Sequence, residues 1–231
     1  MTKCTTPLWQ KYNSGIIPVI PDIKCKSPGE GDLLAGRNPV AYAKSLAEAG
    51  APVISVVTES EHYGGSVELL RQIAEAVPVP ILRKDFIKTS EQLEETAQSG
   101  ASGVLLISSI LEKDQLRKLI DEAVSLGLEP LVETHNEEEI NDVKEFQLSF
   151  LGINNRNILE WEMDNGTVNT TEKLAQSVSQ NALVLSESSI MSAEDVVRAI
   201  AAGAHAVLVG TAILKAKDPV AMYKALSVPR G

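Results

Sequence analysis

The sequence predicts an α/β fold, a single-domain (β/α)8 TIM barrel. Two observations support this prediction: eight short apolar segments recur along the chain, and amphipathic helical patterns separate them. The apolar segments are rich in Val, Ile and Leu without clean polar alternation, which is typical of strands buried on both faces of a parallel sheet. The predicted strands cover residues 18–24, 53–57, 81–83, 103–107, 129–132, 150–153, 183–186 and 206–209.

Helix-start and helix-stop residues mark the segments between these strands. Asn38 followed by Pro39 is typical of a helix start, and Gly50 then ends that helix. Asp218 followed by Pro219 opens the last predicted helix in the same way. The predicted helices cover residues 39–49, 66–76, 90–99, 114–126, 136–145, 171–178, 192–202 and 219–226.

A strand and a helix therefore alternate eight times, and eight parallel strands close naturally into a barrel. The length of 231 residues suits one such barrel. An open doubly wound sheet is the alternative, but no Gly-x-Gly-x-x-Gly fingerprint follows a strand to support it. No linker or low-complexity run divides the chain, so we expect one domain over 1–231 with a short lead-in over about 1–17.

Composition and charge argue against several classes of protein. The 31 acidic and 21 basic residues give a net charge of −10, which disfavours a nucleic-acid partner. No apolar run approaches the roughly 18 residues of a membrane span, and the start of the chain does not resemble a signal peptide. Cys4 and Cys25 are too few for a disulfide framework, so we expect reduced thiols and a cytoplasmic protein.

Motifs for metal binding and for serine hydrolysis are absent from the sequence. His62, His135 and His205 stand at unrelated positions and do not combine with cysteines in ligand spacing. Each histidine is therefore expected in a loop or at the surface. No Gly-x-Ser-x-Gly elbow occurs.

Polar residues follow most of the predicted strands, and barrel enzymes bind their substrates at these carboxyl ends. A single charge there is most often a solvated loop start, but charges after five strands together favour a site. Asp22 and Lys24 share parity, so both side chains point to the same face of the first strand. The loops after strands seven and eight often bind phosphate through backbone N–H groups. The strand-end residues include Asp22, Lys24, Ser27, Ser55, Lys84, Glu133, Asn154, Asn155, Arg156, Glu187, Ser188, Ser189, Gly210 and Thr211.

Seven segments near the strands form an ordered set of motifs. They are PDIKCKSP at 21–28, ISVVTE at 54–59, ILRKDFI at 81–87, GVLLI at 103–107, EPLVETH at 129–135, LGINNR at 151–156 and ESSI at 187–190. Together they resemble the indole-3-glycerol phosphate synthase family of tryptophan biosynthesis, over about residues 16–226. The combination is far more specific than any one motif. The resemblance implies a barrel that works without a metal or a cofactor.

The resemblance also implies an activity. The family consists of lyases that act on 1-(2-carboxyphenylamino)-1-deoxyribulose 5-phosphate, closing a ring with loss of CO2 and then removing water. Ring closure turns a ketone oxygen into an alkoxide, so an ammonium aimed at that oxygen is a suitable acid. A lysine acts best as such an acid when burial or a neighbouring cation lowers its pKa, so we expect a lowered pKa here.

The motifs assign roles by resemblance. Lys84 resembles the general acid of ring closure, Lys24 the second catalytic lysine near the phosphate, and Glu133 the carboxylate that transfers protons in dehydration. Asp22 is expected among the catalytic residues as well. The residues expected to bind the substrate are Asn154, Arg156, Glu187 and Ser55. Those expected to bind phosphate are Ser27, Ser188, Ser189, Gly210 and Thr211.

Two positions differ from the pattern usual in that family. Asp22 stands where a glutamate is usual, and Ser189 stands where a glycine is usual. With the short lead-in, these differences support an alternative: a paralogue with weak or lost synthase activity that binds a related sugar phosphate or serves as a partner subunit. The lysines and Glu133 favour an active synthase. We expect a phosphorylated small-molecule substrate, no nucleic-acid or membrane partner, and a monomer or weak homo-oligomer.

Overall fold

The computed structural model describes residues 2–156, 166–178 and 181–230. Its barrel strands are β1 Val19–Ile23, β2 Ile54–Val57, β3 Ile81–Lys84, β4 Gly103–Ile107, β5 Glu129–Thr134, β6 Phe150–Asn154, β7 Leu183–Glu187 and β8 Ala206–Val209. Each strand pairs in parallel with its neighbours along the chain, and β8 pairs with β1 to close the barrel. The predicted single-domain (β/α)8 barrel is thereby confirmed, and an open sheet is excluded.

Helices alternate with these strands. They are α1 Thr5–Asn13, α2 Pro39–Glu48, α3 Val67–Ala76, α4 Ser90–Gln98, α5 Lys113–Ser125, α6 Glu137–Val143, α7 Asn169–Leu174, α8 Ala193–Ala201, α9 Thr211–Leu214 and α10 Pro219–Leu226. Asn38 caps α2 by accepting two backbone N–H groups, and Asp218 caps α10 by accepting one, as the sequence predicts. In the described ranges, no helix is both long and apolar enough to cross a bilayer.

Strand alternation sorts the barrel interior into an apolar layer and a polar layer. Leu82 on β3 and Leu131 on β5 belong to a buried apolar cluster inside the barrel. Two residues further along the same strands, and so on the same face, come Lys84 and Glu133. The same step separates Ile20 from Asp22 on β1, and Leu185 from Glu187 on β7. The polar layer therefore lies at the carboxyl end of the barrel.

Helix α1 packs into the apolar layer at the other end of the barrel. Leu8 is fully buried in that layer. The Glu129 carboxylate, at the start of β5, accepts the Thr5 N–H at 2.9 Å and the Thr5 hydroxyl at 2.6 Å. It thus satisfies a backbone N–H at the helix start that has no partner within the helix. The sequence does not predict α1, because the carboxylate that stabilises its start comes from a distant part of the chain.

Two short elements at the carboxyl end are also missing from the sequence prediction. An antiparallel hairpin pairs Lys26–Ser27 with Gly31–Asp32, directly after β1. Helix α9 is a single turn directly after β8. Both elements are too short for a periodic pattern of apolar residues to reveal them.

Leu8→Ala should lower the free energy of unfolding by about 2–5 kcal/mol, because its side chain is buried where α1 meets the barrel. Urea unfolding followed by circular dichroism measures this change. Leu126→Ala is the control, since Leu126 is 38% exposed and should lose less than about 1 kcal/mol. Equal losses for the two variants would show that α1 adds little to the stability of the barrel.

Candidate active site

A cavity of about 420 Å³ opens at the carboxyl end of the barrel. Its lining combines charged and apolar side chains, as expected of a site for a small organic anion. The cations that line it are Lys24, Lys84, Lys88 and Arg156. The apolar side chains include Val57, Phe86, Leu105, Ile107, Ile110 and Leu208.

Lys84 ends β3 with its ammonium between two carboxylates. Its Nζ atom lies 3.4 Å from Glu133 Oε2 and 3.3 Å from Glu187 Oε2. Both glutamate side chains are fully buried, whereas 16% of the Lys84 side chain is exposed. The ammonium therefore lines the cavity, and the two carboxylates hold it from behind the cavity wall.

The charge of Lys84 is set by these neighbours. Burial alone would lower the pKa of Lys84, but the carboxylates of Glu133, Glu187 and Asp22 outweigh burial and raise it above its usual range. The lowered pKa expected from the sequence is therefore wrong. That expectation rested on neighbouring cations, whereas the ion pairs that Lys84 makes within the described ranges are with Glu133 and Glu187. Lys84 is fully protonated at neutral pH.

Two glycines give these side chains room. A Cβ atom at Gly152 on β6 would lie 2.2 Å from Glu187 Oε1, so a larger residue there would displace the buried carboxylate. At Gly210, after β8, a Cβ atom would lie 3.4 Å from both Asp22 Oδ2 and Lys24 Cε. Asp22 and Lys24 therefore pack against the backbone at the end of the eighth strand.

Glu133 faces a second cation with its other oxygen. His135 Nε2 lies 3.2 Å from Glu133 Oε1, and His135 Nδ1 lies 3.0 Å from Glu139 Oε2. Burial would lower the pKa of His135, but the two carboxylates raise it to about 10. Burial would raise the pKa of Glu133, but Lys84 and His135 lower it to about 2. His135, with 9% of its side chain exposed, is an ion-pair partner and not the loop or surface residue expected from the sequence.

Glu187 lies in a different environment from Glu133. Among the described residues, neither of its carboxylate oxygens has a hydrogen-bond partner, whereas in Glu133 only Oε1 lacks one and Oε2 accepts from Lys84 at 3.4 Å. Burial raises the pKa of Glu187, and the charges of Glu133 and Asp22 raise it further against the pull of Lys84, to about 8. At neutral pH Glu187 therefore holds a proton while Glu133 is ionised.

Asp22 and Lys24 lie together beside this group. Asp22 Oδ1 accepts the hydroxyl of Ser55 at 2.6 Å. Ser55 is fully buried on β2, outside the described cavity lining, so it lies behind Asp22. The ammonium of Lys24 lies 5.9 Å from the ring centroid of Tyr63, within reach of a cation–π interaction.

The loop after β7 has an uncommon backbone conformation. Ser188 and Ser189 have φ angles of 66° and 58°, in the left-handed region that non-glycine residues rarely adopt. The side-chain amide of Asn155 donates to the backbone oxygens of Glu187 and Ser188, at 2.9 and 3.3 Å. These bonds hold the loop at the cavity. The loop residues that line the cavity after β7 and β8 include Ser188, Ser189, Gly210 and Thr211.

One group of side chains in the described ranges has the spacing of metal ligands. Ligand atoms of Glu59, Glu61 and His62 lie within 4.8 Å of one another. The Glu59 carboxylate, however, already accepts the backbone N–H groups of Glu61, His62 and Tyr63, at 2.9, 2.7 and 2.9 Å. Burial would raise the pKa of Glu59, but these bonds lower it. The carboxylate therefore orders its own loop.

The chain resembles known proteins over almost its whole length. The family described as indole-3-glycerol phosphate synthase matches residues 6–226. The chain belongs to this family. Proteins of the same name from Pyrococcus furiosus and Thermococcus kodakarensis are each 43% identical to it, over 207 residues (90% of both chains) and 201 residues (87% of this chain, 88% of the relative). A third, from Listeria monocytogenes, is 40% identical over 220 residues, which are 95% of this chain and 86% of the relative.

Family membership confirms the resemblance stated from the motifs, and every candidate residue lies within the matched region. The structure brings most of these candidates to one cavity. The candidates that line it are Asp22, Lys24, Lys84, Asn154, Arg156, Ser188, Ser189, Gly210 and Thr211. Ser27, Ser55, Glu133 and Glu187 are buried and lie outside the described lining.

Sequence reasoning gave no role in the site to three residues: Gly152, Asn155, which it placed only at the end of strand six, and His135. Gly152 shares the inward parity of Asn154, which is the signal that could have found it. Asn155 stands inside the motif LGINNR between the candidates Asn154 and Arg156, so its place in the motif is the signal that could have given it a role. His135 follows Glu133 by two residues, but only the fold brings Glu139 to its other nitrogen.

Glu187→Gln should make stability less sensitive to pH. The pKa of Glu187 is raised from its usual 4.5 to about 8, so the folded chain binds this proton more tightly than the unfolded chain. Its contribution to stability is therefore full at low pH and is lost as pH rises through about 8. The free energy of unfolding of the parent, relative to Glu187→Gln, should fall between about pH 5 and about pH 8 in urea titrations.

Glu145→Gln is the control for this comparison. Glu145 pairs with Lys113 and Arg117 at the surface, which lowers the pKa of its carboxyl group, so this group stays ionised across the same pH range. The difference in free energy of unfolding between the parent and Glu145→Gln should therefore stay constant over this pH range. The same constancy for Glu187→Gln would contradict a raised pKa at Glu187.

Proposed function

We propose that this chain acts as an indole-3-glycerol phosphate synthase, a carboxy-lyase. It converts 1-(2-carboxyphenylamino)-1-deoxyribulose 5-phosphate to indole-3-glycerol phosphate, CO2 and water, without a cofactor. The observation that carries this proposal is the Lys84 ammonium, held at the cavity by two buried glutamates, Glu187 and the ionised Glu133, in a chain of this family. The place of the reaction in tryptophan biosynthesis supports a cytoplasmic location.

The substrate carries a phosphate, a carboxylate and an aromatic ring, and the cavity offers groups for each. Backbone N–H groups of the loops after β7 and β8 suit the phosphate, with Lys24 packed against Gly210 beside them. Arg156 suits the carboxylate, because guanidinium groups bind carboxylates through two parallel hydrogen bonds. Phe86, Leu105 and Ile107 suit the aromatic ring.

Lys84 is the proposed acid of ring closure. As the ring carbon attacks the ketone, negative charge develops on the ketone oxygen, and an ammonium at the cavity wall stabilises and then protonates it. An alkoxide is about as basic as hydroxide, so even an ammonium with a raised pKa can protonate it. The raised pKa ensures that the proton is present when the substrate arrives.

Glu133 is the proposed proton acceptor of the dehydration step. It is fully buried and 3.4 Å from Lys84 Nζ, so it exchanges protons with the substrate through Lys84. When Lys84 gives up its proton, one of the two cations that lower the pKa of Glu133 is lost. Glu133 therefore becomes a stronger base after ring closure than before it.

Asp22 and Lys24 form a second proposed acid–base pair. Both side chains pack against Gly210, next to the loops proposed to bind the phosphate. The hydroxyl of Ser55 donates to the Asp22 carboxylate and orients it. Ser55, which the sequence predicts to bind the substrate, would therefore act on it through Asp22. Asn154, whose Oδ1 atom accepts the backbone N–H of Arg156 at 3.0 Å, helps to fix the backbone that carries the arginine.

Lys84→Met should lower kcat by on the order of 10²-fold or more, because the acid of ring closure is lost. The fluorescence of indole-3-glycerol phosphate measures turnover, and circular dichroism checks the fold. Lys44→Met, at an exposed lysine of α2, is the matched control and should keep parental activity. If Lys84→Met stays within about threefold of the parent, Lys84 is not the acid. A parent without turnover would favour the paralogue.

Asp22→Glu should raise kcat, by about tenfold. The added methylene moves the carboxylate about 1.5 Å further from β1, toward the position that the glutamate usual in the family reaches. A catalytic group misplaced by about 1 Å can cost on the order of 10²-fold in rate. Steady-state kinetics of Asp22→Glu and Asp22→Asn measure the effect, and Asp22→Asn should lose most activity. No rise in a folded Asp22→Glu would mean that the site is already adapted to the shorter side chain.

A further inference from the structure

Both ring nitrogens of His135 face carboxylate oxygens. Nε2 lies 3.2 Å from Glu133 Oε1, and Nδ1 lies 3.0 Å from Glu139 Oε2. A neutral imidazole has one N–H group and one lone pair, so one of these contacts would set a lone pair against a carboxylate. An imidazolium carries positive charge at both nitrogens, which suits the hydrogen bond with Glu139 and the 3.2 Å charge contact with Glu133, a contact that lacks hydrogen-bond geometry. The geometry therefore indicates a cation at this position.

Glu139 on α6 fixes this ring in place. Besides facing Nδ1, its Oε2 atom accepts the backbone N–H of His135 at 2.9 Å and the hydroxyl of Ser108 at 2.7 Å. The same Ser108 hydroxyl lies 2.7 Å from the backbone oxygen of Glu133. The imidazole is therefore held from α6 and from the turn after β4, with its Nε2 atom beside the Glu133 carboxylate.

Glu133 thus has one cation at each oxygen, Lys84 at Oε2 and His135 at Oε1. We propose that His135 is a positioning residue of the synthase reaction, whose charge keeps the Glu133 carboxylate ionised with its other oxygen toward Lys84. His135 lies outside the described cavity lining, so it acts through Glu133 and not on the substrate. The inference rests on the proposed function, in which Glu133 exchanges protons through Lys84.

The charges around Glu133 explain why a second cation matters. The charged or titratable groups that face this pair are Glu139 on α6, Lys84 on β3, Glu187 on β7 and, through Lys84, Asp22 on β1. Of these groups only Lys84 is a cation. Without His135, a single ammonium would face several carboxyl groups, and protonation of Glu133 would become easier.

His135→Gln tests this inference, because glutamine keeps an amide donor but carries no charge. The acid-side pKa of kcat should rise by about one unit relative to the parent, since Glu133 then takes up a proton at higher pH. The value of kcat should fall because Glu133 loses the contact that holds its other oxygen toward Lys84, whereas KM should stay within about twofold because the cavity lining is unchanged. A merely structural role would lower the yield of folded protein without moving the pH profile.

His205→Gln is the matched control. His205 is a half-buried histidine before β8, at the other end of the barrel, where its Nδ1 atom accepts the Val184 N–H at 3.0 Å. Its replacement should leave the pH profile of kcat in place. An unmoved profile in a folded His135→Gln variant would overturn the inference.

Nitrogen NMR of the imidazole rings gives a second measurement that needs no turnover. In the parent at about pH 7.5, His135 should be doubly protonated, and Glu133→Gln should lower the pH at which it loses a proton. A neutral ring in the parent would overturn the inference. If the parent shows no synthase turnover, the proposed function fails, whereas the NMR signal still decides whether His135 carries the charge.

Discussion

The Lys84 ammonium is the charge on which the polar end of the barrel depends. Glu133 and Glu187 are both fully buried, and an ionised carboxylate without a partner in such a place costs several kcal/mol. Lys84 contacts both, but one ammonium cannot neutralise two carboxylates. The two glutamates therefore differ in protonation at neutral pH. Glu133, which has His135 as a second cation at its other oxygen, is ionised, whereas Glu187, for which the described residues give no second cation, keeps its proton.

The two ends of the barrel interior differ in how completely their buried polar groups are satisfied. At the amino end, the Glu129 carboxylate accepts three hydrogen bonds, two from Thr5 and one from Ser149. At the carboxyl end, both Glu187 oxygens lack hydrogen-bond partners among the described residues. Apolar residues in place of such buried charges often leave stability unchanged or raise it. The polar layer is therefore explained by chemistry at the cavity, and the stability of the barrel by its apolar layers.

The sequence predicts the barrel and most of the cavity because both follow from local patterns. Each buried strand reads as an apolar run, and Lys84 follows such a run directly. What the sequence cannot supply is the set of neighbours across strands. The raised pKa of Lys84 comes from β5 and β7, and the charge of His135 depends on α6. Helix α1 is not predicted for the same reason, because the Glu129 carboxylate that stabilises its start lies on β5, far away in the sequence.

The loop after β7 shows where local conformation and function conflict. A left-handed residue that is not glycine costs roughly 1–2 kcal/mol, and Ser188 and Ser189 adopt this conformation in succession. Such strain persists only where the surrounding structure imposes it. Asn155 does so with two hydrogen bonds to the backbone of this loop, and it also accepts the Thr171 N–H at 3.0 Å. Because both serines line the cavity, this conformation sets the direction of backbone groups at the proposed phosphate site, and a relaxed loop would turn them elsewhere.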